Sequence, residues 1–174
     1  MGSVRNATIE RDCRNLRKPS KKVKQFDTNE LKLLQQTMLY AAMNFERDHA
    51  GSLCVGLAAP QVGVNLRVIM VRNTNDPADQ RWTFMFNPAY VESRDGFTID
   101  HEGCLSLPDY YGKVVRPKES LFYYFTEKGK RVPQEGVILA REQYARILCH
   151  ELDHLNGVLC SDNAVGEVEY DEAA

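Results

Sequence analysis

The chain has 174 residues, 43% of them hydrophobic and 26% charged, with a net charge of −2. That is enough apolar material for one domain with a real core, too much for a disordered chain, and too balanced in charge to favour nucleic acid or membrane overall. No apolar run approaches the roughly 18 residues of a membrane span, and the start lacks the apolar stretch of a secretory signal. The five cysteines, Cys13, Cys54, Cys104, Cys149 and Cys160, follow no framework spacing and suit reduced thiols in a cytosol-like compartment. The charge is uneven along the chain. Residues 11–24 carry seven bases against the single Asp12, and 162–174 holds five acids and no base. Both runs read as solvated segments, the first also as a leader able to meet ribosomal RNA or another polyanion.

No repeat or linker divides the chain, so 1–174 is expected to be one domain, with 1–14 as an N-terminal arm and 162–174 as a short acidic tail. The first strong helix follows Asp27, read as its N-cap with Glu30 three residues on. Leu31, Leu34, Met38, Ala42 and Phe45 then fall on one face, and Gly51 lies past the end. Strands are expected at 66–72, 82–87, 97–100, 113–117 and 120–126, with Pro88 and Pro117 ending theirs because proline cannot donate to a ladder. "EKGK" (127–130) reads as a hairpin turn carrying Gly129. A second helix is expected from Ile138 to a stop at Gly157, with Tyr144, Ile147, Leu148, Glu151 and Leu155 recurring at three and four residues. The fold class is α+β: mixed, mostly antiparallel sheets around a central C-terminal helix, plus an N-terminal helix.

That second helix holds "CHELDHLNG" (149–157). His150 and His154 stand four apart, so both imidazoles project from one face, about 6 Å apart at the base, and can reach one metal ion. Glu151 lies beside that ion rather than on it, where it can carry a proton between water and a leaving amine. A tetrahedral site needs a third protein ligand. His49 in "ERDHAG", His101 in "DHEGCLSLP" and Cys104 beside it are the remaining candidates. A thiolate is a strong ligand, and Gly103 would permit a sharp bend aiming the sulfur inward, although a loop cysteine also serves as a small buried filler. "CVGLAAPQVG" (54–63) sets Gln61 among small residues. Gly56, Ala58 and Ala59 would let another backbone pass close, and Gln61 could donate toward an anionic oxygen or simply satisfy a tight packing corner.

In this order, "GLAAPQ", "EGCLS" and "HELDH" resemble the three signature motifs of the peptide deformylases, and the resemblance runs from about Asn15 to Asp162. It implies an enzyme that removes the N-formyl group from the first methionine of new polypeptides and releases formate. It further implies Cys104, His150 and His154 as metal ligands and Glu151 as the acid/base. Gln61 and the backbone N–H of Leu105 become the oxyanion donors, and Val55 and Gly56 the partners of the substrate backbone. The implied cofactor is Fe2+, with Zn2+, Ni2+ or Co2+ as substitutes. The implied partners are N-formylmethionyl nascent peptides and the ribosome, with no specific nucleic-acid sequence and no membrane. The implied location is the cytoplasm of a bacterium or phage-infected cell, or an organelle matrix. Leu148 or Cys149, with the middle strands, are candidates for a methionine pocket.

Two rival readings share part of this pattern: a zinc endopeptidase, and a lapsed deformylase-like binding module. The chain also departs from the family pattern. Cys54 stands where glycine is usual, and Cys149 where glutamine precedes the first histidine. Neither position supplies a metal ligand, and either thiol could sit close enough to the metal to be oxidised. The acidic tail lacks the further helix with which many bacterial members meet the ribosome.

Overall fold

The computed structural model describes residues 7–72, 74 and 81–166. Its helices are α1 (Cys13–Leu16), α2 (Asn29–Asp48) and α3 (Glu142–Leu155). Its strands are β1 (Gly56–Ala58), β2 (Val68–Arg72), β3 (Trp82–Cys104), β4 (Leu107–Phe125), β5 (Arg131–Val132) and β6 (Ile138–Arg141). The strands join in one six-stranded sheet of order β1-β2-β3-β4-β5, with β6 also pairing to β4, and every named pairing is antiparallel. The expected α+β class holds, with a single connected sheet in place of several.

Side chains alternate across a strand, and here each face of the sheet meets one long helix. Val68 and Met70 of β2, Leu57 of β1 and Phe86 of β3 share a core with Leu31, Leu34, Met38 and Ala42 of α2. The intervening residues Ile69, Val71, Ala58 and Met85 pack with Ala145, Leu148, Leu152 and Leu155 of α3. The alternation therefore fixes which motif residues look toward α3: Gly56 and Ala58 do, and Leu57 does not.

Several boundaries differ from expectation. The four segments expected between 82 and 126 are two long strands, because bulges rather than breaks absorb the prolines. Pro88 lies in the register shift between Phe86 and Ala89, where the ladder requires no donor. Pro117 pairs with Phe97, next to the shift between Arg94 and Phe97. The segment from Ile138 to Arg141 is not helical but pairs with Glu119–Phe122, and α3 starts at Glu142. The hairpin at 127–130 forms, with Gly129 at φ +73° and Thr126 N–H donating to Lys130 O at 2.8 Å.

The N-cap of α2 is Thr28, whose hydroxyl accepts from Leu31 N–H at 3.3 Å. Asp27 sits in the left-handed region at φ +56° and pairs instead with Lys32. Residues 13–14 of the expected arm belong to α1, and residues 1–6 lie outside the described residues. Asp162 and Asn163 of the expected tail close a 3₁₀ turn, Cys160–Asn163. Val165 N–H donates to Lys113 O at 2.8 Å, which anchors this end to β4. Residues 167–174 lie outside the described residues. Among the described residues no helix is long and apolar enough to cross a membrane.

Thr28→Ala should lower stability in urea unfolding by about 1 kcal/mol, the usual worth of such a cap. Asp27→Asn should leave the midpoint unchanged, since that ion pair is exposed on both sides.

Candidate active site

Three elements converge where α3 passes β1 and the tip of the β3–β4 hairpin. Cys104 ends β3 and pairs with Leu107 across a two-residue turn, Leu105–Ser106, so it comes from a strand end rather than from the expected loop. Gly103 does not take a positive φ. It is strand alternation that turns Glu102 and Cys104 together toward α3.

Cys104, His150 and His154 are, among the described residues, the one group of three whose ligand atoms lie close enough to hold an ion, all within 4.8 Å of one another. Cys104 Sγ and His154 Nε2 are 3.3 Å apart. Metal–ligand bonds of about 2.0–2.3 Å at tetrahedral angles give an edge of about 3.5 Å. The distances and the donor set, one sulfur and two imidazole nitrogens, fit a divalent ion. His49 and His101 lie outside this group: the first stacks on Phe45, the second on Tyr111.

Contact with Cys160, added to burial, holds the Cys104 thiol well above its ordinary pKa. A bound cation would reverse that preference by taking up the thiolate. Burial drives His154 strongly toward its neutral form. His150 is poised by a carboxylate that sequence reasoning missed. Its Nδ1 donates to Glu102 Oε2 at 3.0 Å, which leaves Nε2 as the nitrogen available to an ion.

Glu102 is buried and also accepts from Arg116 Nε at 2.9 Å, Arg116 Nη2 at 3.0 Å and Arg146 Nη1 at 2.7 Å. Arg116 in turn reaches Asp153 Oδ2 at 2.6 Å. Burial alone would raise the pKa of Glu102, but the hydrogen bonds from His150 and Arg116 outweigh it and bring the pKa to about 2. The available signal was its place two residues before Cys104, on the same strand face. Its four hydrogen bonds, to two arginines and a histidine, cross 14 to 48 residues of sequence and left no local trace.

Glu151 faces the same space from α3. It is buried, its Oε2 has no hydrogen-bond partner, and burial lifts its pKa to about 7 against the opposing pull of His150. Gly56 makes room for it: a Cβ there would fall inside contact distance of Glu151 Oε1 and lie 3.0 Å from Ile147 Cγ2. What passes close to Gly56 is this carboxylate.

Gln61 sits in a 3₁₀ turn, Ala59–Val62, with its amide locked in orientation. Its Oε1 accepts from Ala58 N–H at 2.9 Å. Its Nε2 donates to Ser106 Oγ at 3.2 Å and to Cys104 Sγ at 3.7 Å. Both earlier readings of Gln61 therefore meet in one side chain, which is satisfied by backbone at one end and aimed at the cluster by the other.

A cavity of about 210 Å³ opens beside these groups, walled by Leu53, Val55, Leu105, Gln143, Arg146 and Ile147. It is smaller than the roughly 300 Å³ of ordinary small-molecule sites, so it suits one side chain with its attached group. Leu148 and Cys149 do not line it. Leu148 is in the core with Ile69 and Phe122, and Cys149 Sγ lies 3.4 Å from Ser120 Oγ. A larger hollow, about 440 Å³, lies between residues 7–11 and the end of α2, away from the cluster.

The pattern of the polypeptide deformylase family matches residues 7–169. The peptide deformylase of Acetivibrio thermocellus is 38% identical over 159 residues, 90% of this chain and 82% of the relative. Among solved structures, a probable peptide deformylase from Synechococcus phage S-SSM7 superposes with a TM-score of 0.75 at 34% identity, covering 89% of this chain and 97% of the other. A peptide deformylase from Synechococcus elongatus in complex with actinonin gives 0.74 at 32% identity, covering 91% and 80%.

Glu102→Gln should cost about 3 kcal/mol in urea unfolding at neutral pH, because it takes the carboxylate from buried Arg146 and leaves Arg116 only Asp153. The folded-state pKa is below the ordinary 4.5, so the stabilisation is complete above that value and is lost as pH falls from 4.5 to about 2. The gap between wild type and variant should narrow across that window.

Proposed function

The chain belongs to the polypeptide deformylase family, a metal-dependent hydrolase removing the formyl group from the N-terminal methionine of new polypeptides, and from that premise we propose how its residues divide the work. Cys104, His150 and His154 would hold the ion, which we assign as Fe2+, with Zn2+, Ni2+ or Co2+ able to replace it; one thiolate and two imidazoles suit any of these. The bound ion supplies Lewis acidity and makes water acidic enough to be deprotonated near neutral pH.

Glu151 takes the proton of the attacking water at its free Oε2 as oxygen adds to the formyl carbon. Gln61 Nε2, held by the Ala58 N–H at its other end, donates to the developing oxyanion together with the backbone N–H of Leu105. The carbon–nitrogen bond then breaks, Glu151 passes the proton to the departing amine, and formate and a free N-terminus leave. The first side chain enters the cavity against Ile147, and the substrate backbone pairs along Val55 and Gly56 at the edge strand β1.

The observation that carries this reading is the unpartnered, buried Glu151 carboxylate next to a three-ligand cluster and an amide donor. Ribosome contact is assigned to the exposed Lys21, Lys22 and Lys24, whose charge suits phosphates. Five free cysteines suit a reducing, cytoplasm-like compartment where nascent chains emerge.

Purified without oxygen, the protein should bind one Fe2+ per chain and release formate from a short formyl-methionyl peptide; absence of formate with the metal bound would refute the assignment. Glu151→Gln should keep the metal and lose kcat by roughly 10²–10⁴-fold, the usual worth of a general base. Retained turnover would take Glu151 out of that role.

A further inference from the structure

Cys160 is a buried thiol that the mechanism does not use. It opens the 3₁₀ turn after α3, is 2% exposed, and shares a small buried cluster with Cys104 and Val114. Its position is fixed, because the residues just after it pair with β4 through the Val114–Ala164 bridge and the Val165–Lys113 hydrogen bond. The other thiols are engaged elsewhere. Cys54 Sγ donates to Gly56 O at 3.4 Å, Cys149 faces Ser120, and Cys13 is exposed on α1. Gly103 and Leu105, on either side of Cys104, line the cavity, which gives a small oxidant a route to the sulfur.

We propose that Cys160 is the resolving thiol for Cys104, so that peroxide joins the two in an intramolecular disulfide that removes the sulfur from the metal-binding group and protects it from irreversible oxidation. In the first step the Cys104 sulfur attacks hydrogen peroxide. The O–O bond breaks, the sulfur is oxidised to a sulfenic acid, and one water leaves. In the second, the Cys160 sulfur attacks the Cys104 sulfur, the S–O bond breaks, and its thiol proton departs with the hydroxide as a second water. Two thiols and one peroxide thus give one disulfide and two waters, and a dithiol reductant restores both thiols. This goes beyond the deformylase reading and concerns how the ligand sulfur survives oxidant.

The test treats the full-length, zinc-loaded protein with stoichiometric hydrogen peroxide, followed by alkylation, peptide mapping and a chromogenic chelator for released zinc. The expected result is loss of two hydrogens from the intact mass, one cross-linked pair joining the Cys104 and Cys160 peptides, one zinc released per chain, and full reversal by dithiothreitol. Cys160→Ser should keep its basal deformylation rate, yet under the same treatment add oxygen to Cys104 in a form dithiothreitol does not reverse. A Cys160 that remains alkylatable while Cys104 is oxidised would overturn the proposal, as would a cross-link to Cys149 or Cys54. The wild-type peptide map decides the matter even where the variant fails to fold.

Discussion

The site depends on one buried carboxylate. Glu102 accepts hydrogen bonds from His150, Arg116 and Arg146 at 2.7 to 3.0 Å, and so fastens β3, β4 and α3 to one point. An ionised carboxylate out of water costs several kcal/mol unless its lone pairs are filled by charged donors, and here three such partners fill them. The return is positional. With Nδ1 of His150 committed to Glu102, the ring's rotation and tautomer are both set, and Nε2 is what remains for an ion. Because Cys104 follows Glu102 by two residues on the same strand face, the same anchor also sets where the sulfur arrives.

The sheet supplies a second constraint. Its two-residue alternation divides the core between α2 and α3 and turns Gly56 toward the Glu151 carboxylate, in a gap no larger side chain leaves free. Glu151 is thereby enclosed without being satisfied. Burial raises its pKa to about 7 and leaves Oε2 unpartnered, the condition in which a carboxyl can both take and give a proton near neutrality. Gln61 differs in kind, since its carbonyl end is held by the backbone while its amide end faces the sulfur.

How much was legible in the sequence depended on distance along the chain. The helical spacing of His150, Glu151 and His154, the apolar face of α2 and the turn at Gly129 are local patterns, and each appears where it was expected. The family motifs supplied Cys104 and Gln61, which spacing alone left among several candidates. The prolines misled because a bulge can absorb one within a strand, so Pro88 and Pro117 divided on paper what pairing keeps continuous. Ile138–Arg141 carries an apolar pattern compatible with either period, and its partner in β4 decided it. The Glu102 network and the Cys104–Cys160 contact are formed by residues far apart in sequence and leave no periodic signal. The cavity wall was misassigned for a simpler reason: Leu148 and Cys149 precede His150 directly, but Gln143, Arg146 and Ile147 share its helix face.

The central claim is that Cys104, His150 and His154 hold one ion in a tetrahedral, sulfur-containing site. Optical titration of the metal-free protein with Co2+ under argon tests it most directly, because thiolate ligation and tetrahedral geometry each leave a distinct absorption. The account predicts saturation at one Co2+ per chain, with intense visible bands and a thiolate-to-cobalt charge-transfer band that disappears in Cys104→Ser. Weak bands typical of six oxygen or nitrogen ligands, or a charge-transfer band unchanged in Cys104→Ser, would contradict it.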